Sequence, residues 1–486
     1  MKVLHIASEA VPFAKTGGLA DVAGTLPREL AAQGVDVSLI MPLYDEVRQN
    51  AKDLVSTGLE LSVPVGDAAR KGTLWRGKLP GSNVPAYFIQ RDEYFHRPGL
   101  YGNGREDYLD NSERFVFFSR AALEAARALA LRFDVVHCHD WQTALVPVYV
   151  KTTYAKDKVF QGTRSVLTVH NISYQGVFWH WDMKLTGLDW TLFNWRQLEF
   201  YGKVNFLKGG LIFADAITTV SETYAREITT PEFGCGLEGV LADRGKDVVG
   251  ILNGVDYAVW SPDADPLIPV KFSAAKPAGK EKCKSALQKK CSLPDSADAP
   301  LIGLITRLVD QKGIDLLAAA MEGILAEGAQ VVLLGTGEDR YHKLFGDLAA
   351  RHKGRLSVFL AFNNALAHEI EAGSDMFLMP SRFEPCGLNQ IYSLRYGTIP
   401  IVRATGGLAD TVIDATTAGL EDGSSTGFVF KEATSEALLG AVRRAGALFK
   451  KRKEWAKLVR NAMKQDWSWA RSAAAYVRLY QSLGKR

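Results

Sequence analysis

Two doubly wound α/β halves are predicted for this 486-residue chain, on three observations. Short β-branched runs alternate with longer amphipathic stretches, the pattern of a parallel sheet with helical crossovers. The apolar run Met376-Phe377-Leu378-Met379-Pro380 leads directly into Ser381-Arg382-Phe383-Glu384-Pro385-Cys386-Gly387. A buried strand ending in a turn that carries one carboxylate and one glycine is where an open α/β sheet builds a site. The third observation is a phrase that occurs twice. Lys15-Thr16-Gly17-Gly18-Leu19-Ala20-Asp21-Val22 is closely matched by Thr405-Gly406-Gly407-Leu408-Ala409-Asp410-Thr411-Val412, which follows the strand Ile399–Val402. Two strand–Gly-Gly–helix turns so far apart predict two halves facing one ligand.

Taken in order, the first half reads as strands at Val3–Ala7, Asp36–Met41, Ala86–Gln90, Asp134–Cys138, Ser165–His170 and Ala216–Val220. The second reads as strands at Leu301–Thr306, Gln330–Gly335, Ser357–Ala361, Met376–Met379, Ile399–Val402 and Gly427–Phe430. After Leu301–Thr306, the residues Ile314, Leu317, Met321, Ile324 and Leu325 keep helical spacing, so strand, loop and helix follow one another. Asn253-Gly254-Val255-Asp256 is a turn, and Trp260-Ser261-Pro262 opens an irregular segment. The domain division is therefore expected near residue 248, giving halves 1–247 and 248–466. The tail 467–486 reads as an amphipathic helix with Tyr476, Leu479 and Tyr480 on one face, which needs a partner surface.

Composition bounds the answer further. Hydrophobic residues at 47% and charged residues at 23% are ordinary for a soluble globular chain, and 486 residues exceed one core. The net charge of +4 gives no mandate for nucleic acid. Lys276, Lys280, Lys282, Lys284, Lys289 and Lys290 form a cluster without aromatic residues, which favours a solvated helix face over a polyanion site. None of Cys138, Cys235, Cys283, Cys291 and Cys386 forms a Cys-x-x-Cys pair, so neither a zinc knuckle nor a disulfide framework is indicated. Met1-Lys2-Val3-Leu4 goes straight into a strand with no signal peptide, and no apolar run reaches the ~20 residues that span a bilayer. No membrane association and a cytoplasmic location are expected.

The chemistry-bearing residues sit at strand ends. Arg307 and Lys312 occupy the loop after Leu301–Thr306, where a planar donor fork and a point charge suit a diphosphate. The glycines at 17–18 and 406–407 can let backbone amides approach an anion, although tight packing explains any one such turn equally. Neither turn is Gly-x-Gly-x-x-Gly and no P-loop accompanies them, which disfavours a dinucleotide oxidoreductase or a P-loop ATPase. His137-Cys138-His139-Asp140-Trp141 invites a metal reading. Strand alternation puts Cys138 opposite the two histidines, however, so three ligands do not converge, and delivery of Asp140 and Trp141 into a cleft is the alternative. His170 ends a strand, where both a hydrogen-bonding and a catalytic role are open.

Lys15–Val22, His139-Asp140-Trp141, His170-Asn171, Asn253-Gly254-Val255-Asp256, Arg307 with Lys312, Ser381–Gly387 and Thr405–Asp410 together resemble the bacterial glycogen synthase family, in its order and over nearly the whole chain. Plant starch synthases are similar. The resemblance implies a GT-B fold, two Rossmann-like domains facing a deep cleft, with the final helix crossing back to the first. It implies retaining transfer of glucose from ADP-glucose to the non-reducing end of an α-1,4-glucan (glycogen), with no cofactor and no required metal. Carried over, Arg307 and Lys312 would neutralise the diphosphate, and Lys15 and Gly18 would contact the donor. Glu384 would orient the glucose and stabilise developing positive charge, with His170 beside the sugar. Asp21 and Asp140 would help hold the substrates. Cys386, Gly387, Thr405, Gly406 and Gly407 would line the donor site.

Two departures stand out. Tyr392 occupies the position eight after Glu384 where many retaining GT-B enzymes carry a second glutamate, and Phe362 stands where a tyrosine is expected to pack on adenine. Front-face substitution is the favoured retaining route, since no nucleophilic carboxylate can be assigned. Three alternatives stay open: a starch synthase or related enzyme using another nucleotide sugar, a sugar-nucleotide epimerase, and a non-catalytic glucan-binding protein. The last should have lost Glu384, Arg307 or Lys312, and all are present.

Overall fold

The computed structural model describes residues 1–104 and 106–484. The chain divides into two compact units. One comprises Met1–Val220, Ala225–Leu252 and the chain from Trp469 onward; the other comprises Ser221–Tyr224 and Asn253–Ser468. These boundaries lie at 252/253 and 468/469 instead of the expected 247/248 and 466/467. The cause is strand pairing. Val248–Gly250 adds a parallel strand beside Ala216–Thr219, so the chain leaves the first unit only after it. At the other end Val255 bridges Ser468 and its N–H donates to the Trp467 carbonyl at 2.8 Å, which keeps both residues in the second unit.

The first unit is built on a nine-stranded sheet. Across it run Val248–Gly250, Ala216–Thr219, Arg164–Val169, Val135–His139, Lys2–Ile6, Asp36–Pro42, Pro85–Gln90, Ala68–Lys78 and Val55–Val65. The first seven are parallel, and each expected strand of this half lies among them. The antiparallel pair Val55–Val65 and Ala68–Lys78 at the edge was not expected. Its signal was the two-residue turn Gly66-Asp67, with Gly66 at φ +58°. Polar residues cover much of its exposed face, which hides it from a search for buried runs.

Helix Gly18–Ala32 buries Leu19, Val22, Ala23, Leu26 and Leu30, an i, i+3, i+4 stripe facing the sheet. The tail helix Trp469–Leu483 packs on it and buries Ala473, Tyr476, Tyr480 and Leu483. Leu479 stands one position off that stripe and is only half-buried. Tyr480 reaches the sheet itself, its hydroxyl 2.6 Å from His137 Nδ1.

The second unit has six parallel strands in the order Leu356–Phe359, Gln330–Leu334, Leu301–Ile305, Met376–Met379, Ile399–Arg403 and Phe428–Phe430. All six correspond to expected strands. All of the lysine cluster but Lys276 lies on helix Ala278–Lys290, and the helix is not simply a solvated face. Lys284 is buried with Nζ 2.7 Å from Asp375, Lys280 donates to the Thr398 hydroxyl at 2.6 Å, and Lys290 pairs with Glu369 at 2.7 Å. Half the cluster pins this helix to its own unit. Among the described residues no helix is long and apolar enough to cross a membrane.

Candidate active site

In the second unit, Leu301–Ile305 and Met376–Met379 are adjacent, and the strand order reverses between them. Side chains beyond the carboxyl ends of strands at such a switch point converge. Arg307 and Lys312 follow the first strand, and Ser381–Gly387 follows the second. Gly313 brings the two loops together. It adopts φ +65°, and a Cβ there would lie 2.1 Å from the Pro380 carbonyl oxygen, so only glycine fits. As a result Lys312 Nζ donates to Glu384 Oε2 at 2.5 Å, and the Ser381 hydroxyl donates to the same oxygen at 2.9 Å. Glu384 is buried. Arg307 is exposed in the loop after Leu301–Ile305 and pairs with no carboxylate among the described residues. Ser381 was not singled out from the sequence, although it stands three residues before Glu384.

The remaining second-unit candidates divide by role. Gly406 and Gly407 are close-packed: a Cβ on either would lie 2.0 Å from a carbonyl oxygen, of Glu384 and Cys386 respectively. The Gly407 N–H donates to the Glu384 and Pro385 carbonyls, both at 3.1 Å, so it is not offered to an anion. Thr405, Gly406 and Gly407 thus buttress the Glu384 turn from beneath. Gly387 takes φ +68° within that turn. Burial pushes the Cys386 thiol up to about 12, which leaves it a packing residue and not a nucleophile. Phe362 is 88% exposed and offers an open ring face. Tyr392 stacks on Trp260 with centroids 4.1 Å apart, and Trp260 stacks on His368 at 3.7 Å. Packing therefore accounts for an aromatic ring at position 392.

The first unit has the corresponding switch point between Lys2–Ile6 and Val135–His139. Beyond the first strand, Lys15 Nζ pairs with Asp21 at 2.8 Å, which assigns Asp21 to holding Lys15. Gly17 and Gly18 differ from their counterparts, since a Cβ on either meets nothing within 4 Å. Their amino-terminal turn is held from behind by buried Glu9, which accepts from the Thr16 amide and hydroxyl and the Gly17 amide. Burial pushes the Glu9 carboxyl up, and these hydrogen bonds oppose the shift. No sequence pattern marked Glu9 as part of the turn.

Asp140 occupies the left-handed region at φ +55°, and its Oδ1 accepts the His170 N–H at 2.7 Å. Burial pushes this carboxyl up to about 8, against the hydrogen bonds from the His170 and Asn171 amides. Asp140 therefore positions the strand end that carries His170. His5 of the neighbouring strand joins His137 and His139, with ring nitrogens within 4.8 Å, while Cys138 stands outside the group. Hydrogen bonds take five of the six nitrogens. His5 Nδ1 meets His139 Nε2 at 3.2 Å, and His139 Nδ1 meets His170 Nε2 at 3.1 Å. His137 is held by Tyr480 and Thr168, each at 2.6 Å. In this structure the three rings are tied into a hydrogen-bonded network. His5 escaped notice because parallel register, His5 opposite His137, is not legible in sequence.

A family model for the starch synthase catalytic domain matches residues 2–243, and one for glycosyl transferases group 1 matches residues 289–462. A glycogen synthase of Syntrophotalea carbinolica is 47% identical over 99% of this chain and 98% of its own. The chain belongs to the glycogen synthase family. A glycogen synthase of Anaeromyxobacter dehalogenans is 48% identical over 99% of this chain and all of its own. The catalytic domain of starch synthase IV from Arabidopsis thaliana, solved bound to ADP and acarbose, matches with a TM-score of 0.92 at 37% identity, covering 100% of this chain and 99% of that one. The two doubly wound units are thus those of the GT-B fold, and the chain is a glycosyltransferase of a family that joins a nucleotide sugar to a glucan.

Proposed function

We propose that this glycosyltransferase moves glucose from ADP-glucose to the non-reducing end of an α-1,4-glucan such as glycogen, retaining configuration and releasing ADP. The observation that carries the reading is Lys312 and Ser381 converging on Glu384, with the exposed Arg307 in the same loop as Lys312. Arg307 and Lys312 take the diphosphate, whose charge grows as the C1–O bond to phosphate breaks. Electrostatic groups set in place before reaction are the largest single contribution in such sites. Glu384 faces the opposite charge, the positive character at the sugar carbon. Phe362 supplies a stacking face for adenine, and ADP bound to the Arabidopsis relative supports that base. In the first unit, the family resemblance assigns Lys15 and His170 to donor binding.

Glu384 already accepts two hydrogen bonds through one oxygen, which suits a charge-stabilising partner better than a nucleophile. The step is accordingly a front-face substitution. The acceptor oxygen bonds C1 as the phosphate oxygen leaves, and that phosphate takes the acceptor proton. With two cations at the diphosphate, turnover is expected to survive a chelator. The test is incubation with ADP-glucose or UDP-glucose, with and without glycogen, counting nucleotide released. Glycogen-dependent ADP release is expected; release without glucan would indicate hydrolysis, and interconversion of the sugar nucleotide without release would indicate an isomerase.

A further inference from the structure

We propose that His5 and His139 are positioning residues that hold His170 in one tautomer, with Nε2 as acceptor and Nδ1–H as its outward donor. The inference rests on the reading that places His170 beside the donor sugar. Three adjacent parallel strands deliver the three rings, His5 from Lys2–Ile6, His139 from Val135–His139, and His170 just beyond Arg164–Val169. The rings form a chain, His5 Nδ1 to His139 Nε2 at 3.2 Å and His139 Nδ1 to His170 Nε2 at 3.1 Å.

Each nitrogen–nitrogen contact needs one N–H and one lone pair, and a neutral imidazole has one of each. His139 is used at both ends, so its single proton forces both bonds to run the same way. Protonating the middle ring would set N–H against N–H unless both neighbours turned their lone pairs inward. Burial opposes any charge here, lowering His5 and His170 to about 3 and His139 well below its usual range. Two directions remain. If the protons point inward, His5 Nε2 must carry an N–H, and that atom is buried without a partner. If they point outward, the orphan is a lone pair. Orphaned buried N–H groups are the rarer fault, so the chain runs His5 to His139 to His170. His137 stacks on His139 with centroids 4.4 Å apart and keeps its ring plane. His170 then works as a neutral N–H donor to an oxygen of the sugar, and not as a base.

The experiment uses full-length protein labelled with 15N-histidine and a long-range proton–nitrogen correlation that distinguishes the two nitrogens of each ring. His170, assigned by loss of its signals in His170→Asn, should show an Nδ1–H tautomer. His5→Phe removes the first donor and should convert that signal to a mixture, with kcat down about tenfold and KM for ADP-glucose within about twofold. His5→Asn, which returns a donor near the Nδ1 position, should restore most of kcat. An Nε2–H tautomer at His170 in the wild type overturns the proposal, as does a His5→Phe variant that leaves the tautomer unchanged. If His5→Phe does not fold, the wild-type spectrum alone decides the direction. An Nδ1–H tautomer together with full activity in His170→Ala would uphold the relay and remove His170 from the sugar site.

Discussion

At the scale of residues, the Lys312–Glu384 pair explains how a carboxylate is kept in the site proposed for a diphosphate. The pair is nearly out of solvent, with side chains 17% and 8% exposed. Removing Glu384 therefore unbalances Lys312 as well as the sugar. Glu384→Ala is expected to lower kcat by about a hundredfold or more while ADP still binds, measured by ADP release and by calorimetry. Near-normal turnover in the folded variant would remove Glu384 from the chemistry. The buried carboxyls set a separate expectation. Asp140 and Glu371 titrate at about 8 in the folded protein, against 3.8 and 4.5 ordinarily, with burial the chief cause. Their stabilising contribution is complete below the unfolded values and is lost as pH rises through 8. The depressed histidines act the other way and only below their unfolded value of 6.5. Urea midpoints should therefore fall between pH 6.5 and 8, and Asp140→Asn should flatten the slope, since asparagine accepts the left-handed conformation and the His170 amide. An unchanged slope in that variant would mean that Asp140 is ionised throughout.

At the scale of elements, the two Gly-Gly turns look alike and are not equivalent. Lys15–Val22 follows the first strand of its sheet, whereas Thr405–Val412 follows Ile399–Arg403, the fifth strand of its unit in chain order. The counterpart of the first turn in the second unit is the Arg307–Gly313 loop. Substitution should separate the two turns. Gly18→Ala meets open space at the start of a helix, so stability should hold or rise by up to about 1 kcal/mol while KM for ADP-glucose increases. Gly407→Ala drives a Cβ into the Cys386 carbonyl, so it should lower the melting temperature and displace the Glu384 turn. Thermal melts of both variants, with kinetics on Gly18→Ala, check the pair. Equal destabilisation would mean that both turns are packing devices.

At the scale of the molecule, the chain's last helix belongs to its first unit. Tyr476 and Tyr480 are fully buried against that unit, Ser472 donates to the Leu252 carbonyl at 2.6 Å, and Tyr480 bonds His137. Ending the chain after Ser468 would expose the face of helix Gly18–Ala32 and leave His137 Nδ1 unpaired. Such a truncation should raise hydrogen exchange in strands Lys2–Ile6 and Val135–His139 and leave Leu301–Ile305 and Met376–Met379 protected. Uniform loss of protection across both sheets would show that the units do not unfold separately.

Periodicity and turn chemistry were enough to place every parallel strand of both sheets except Val248–Gly250, because buried strands must be apolar runs and their ends must carry turn residues. They also marked Arg307, Lys312, Glu384 and His170 as candidates, and the structure places all four just beyond strand ends. What they could not reach was register. Ser381 on Glu384, Glu9 behind Thr16 and Gly17, and His5 in line with His139 and His170 are contacts between segments that lie from three to 134 residues apart. The spacing of one strand says nothing about which strand lies next to it. So the sequence by itself determined two parallel α/β units and the kinds of side chain at their strand ends. Only the tertiary structure decided which of those side chains meet, because strand order and register arise from packing the whole sheet and not from any single run of residues.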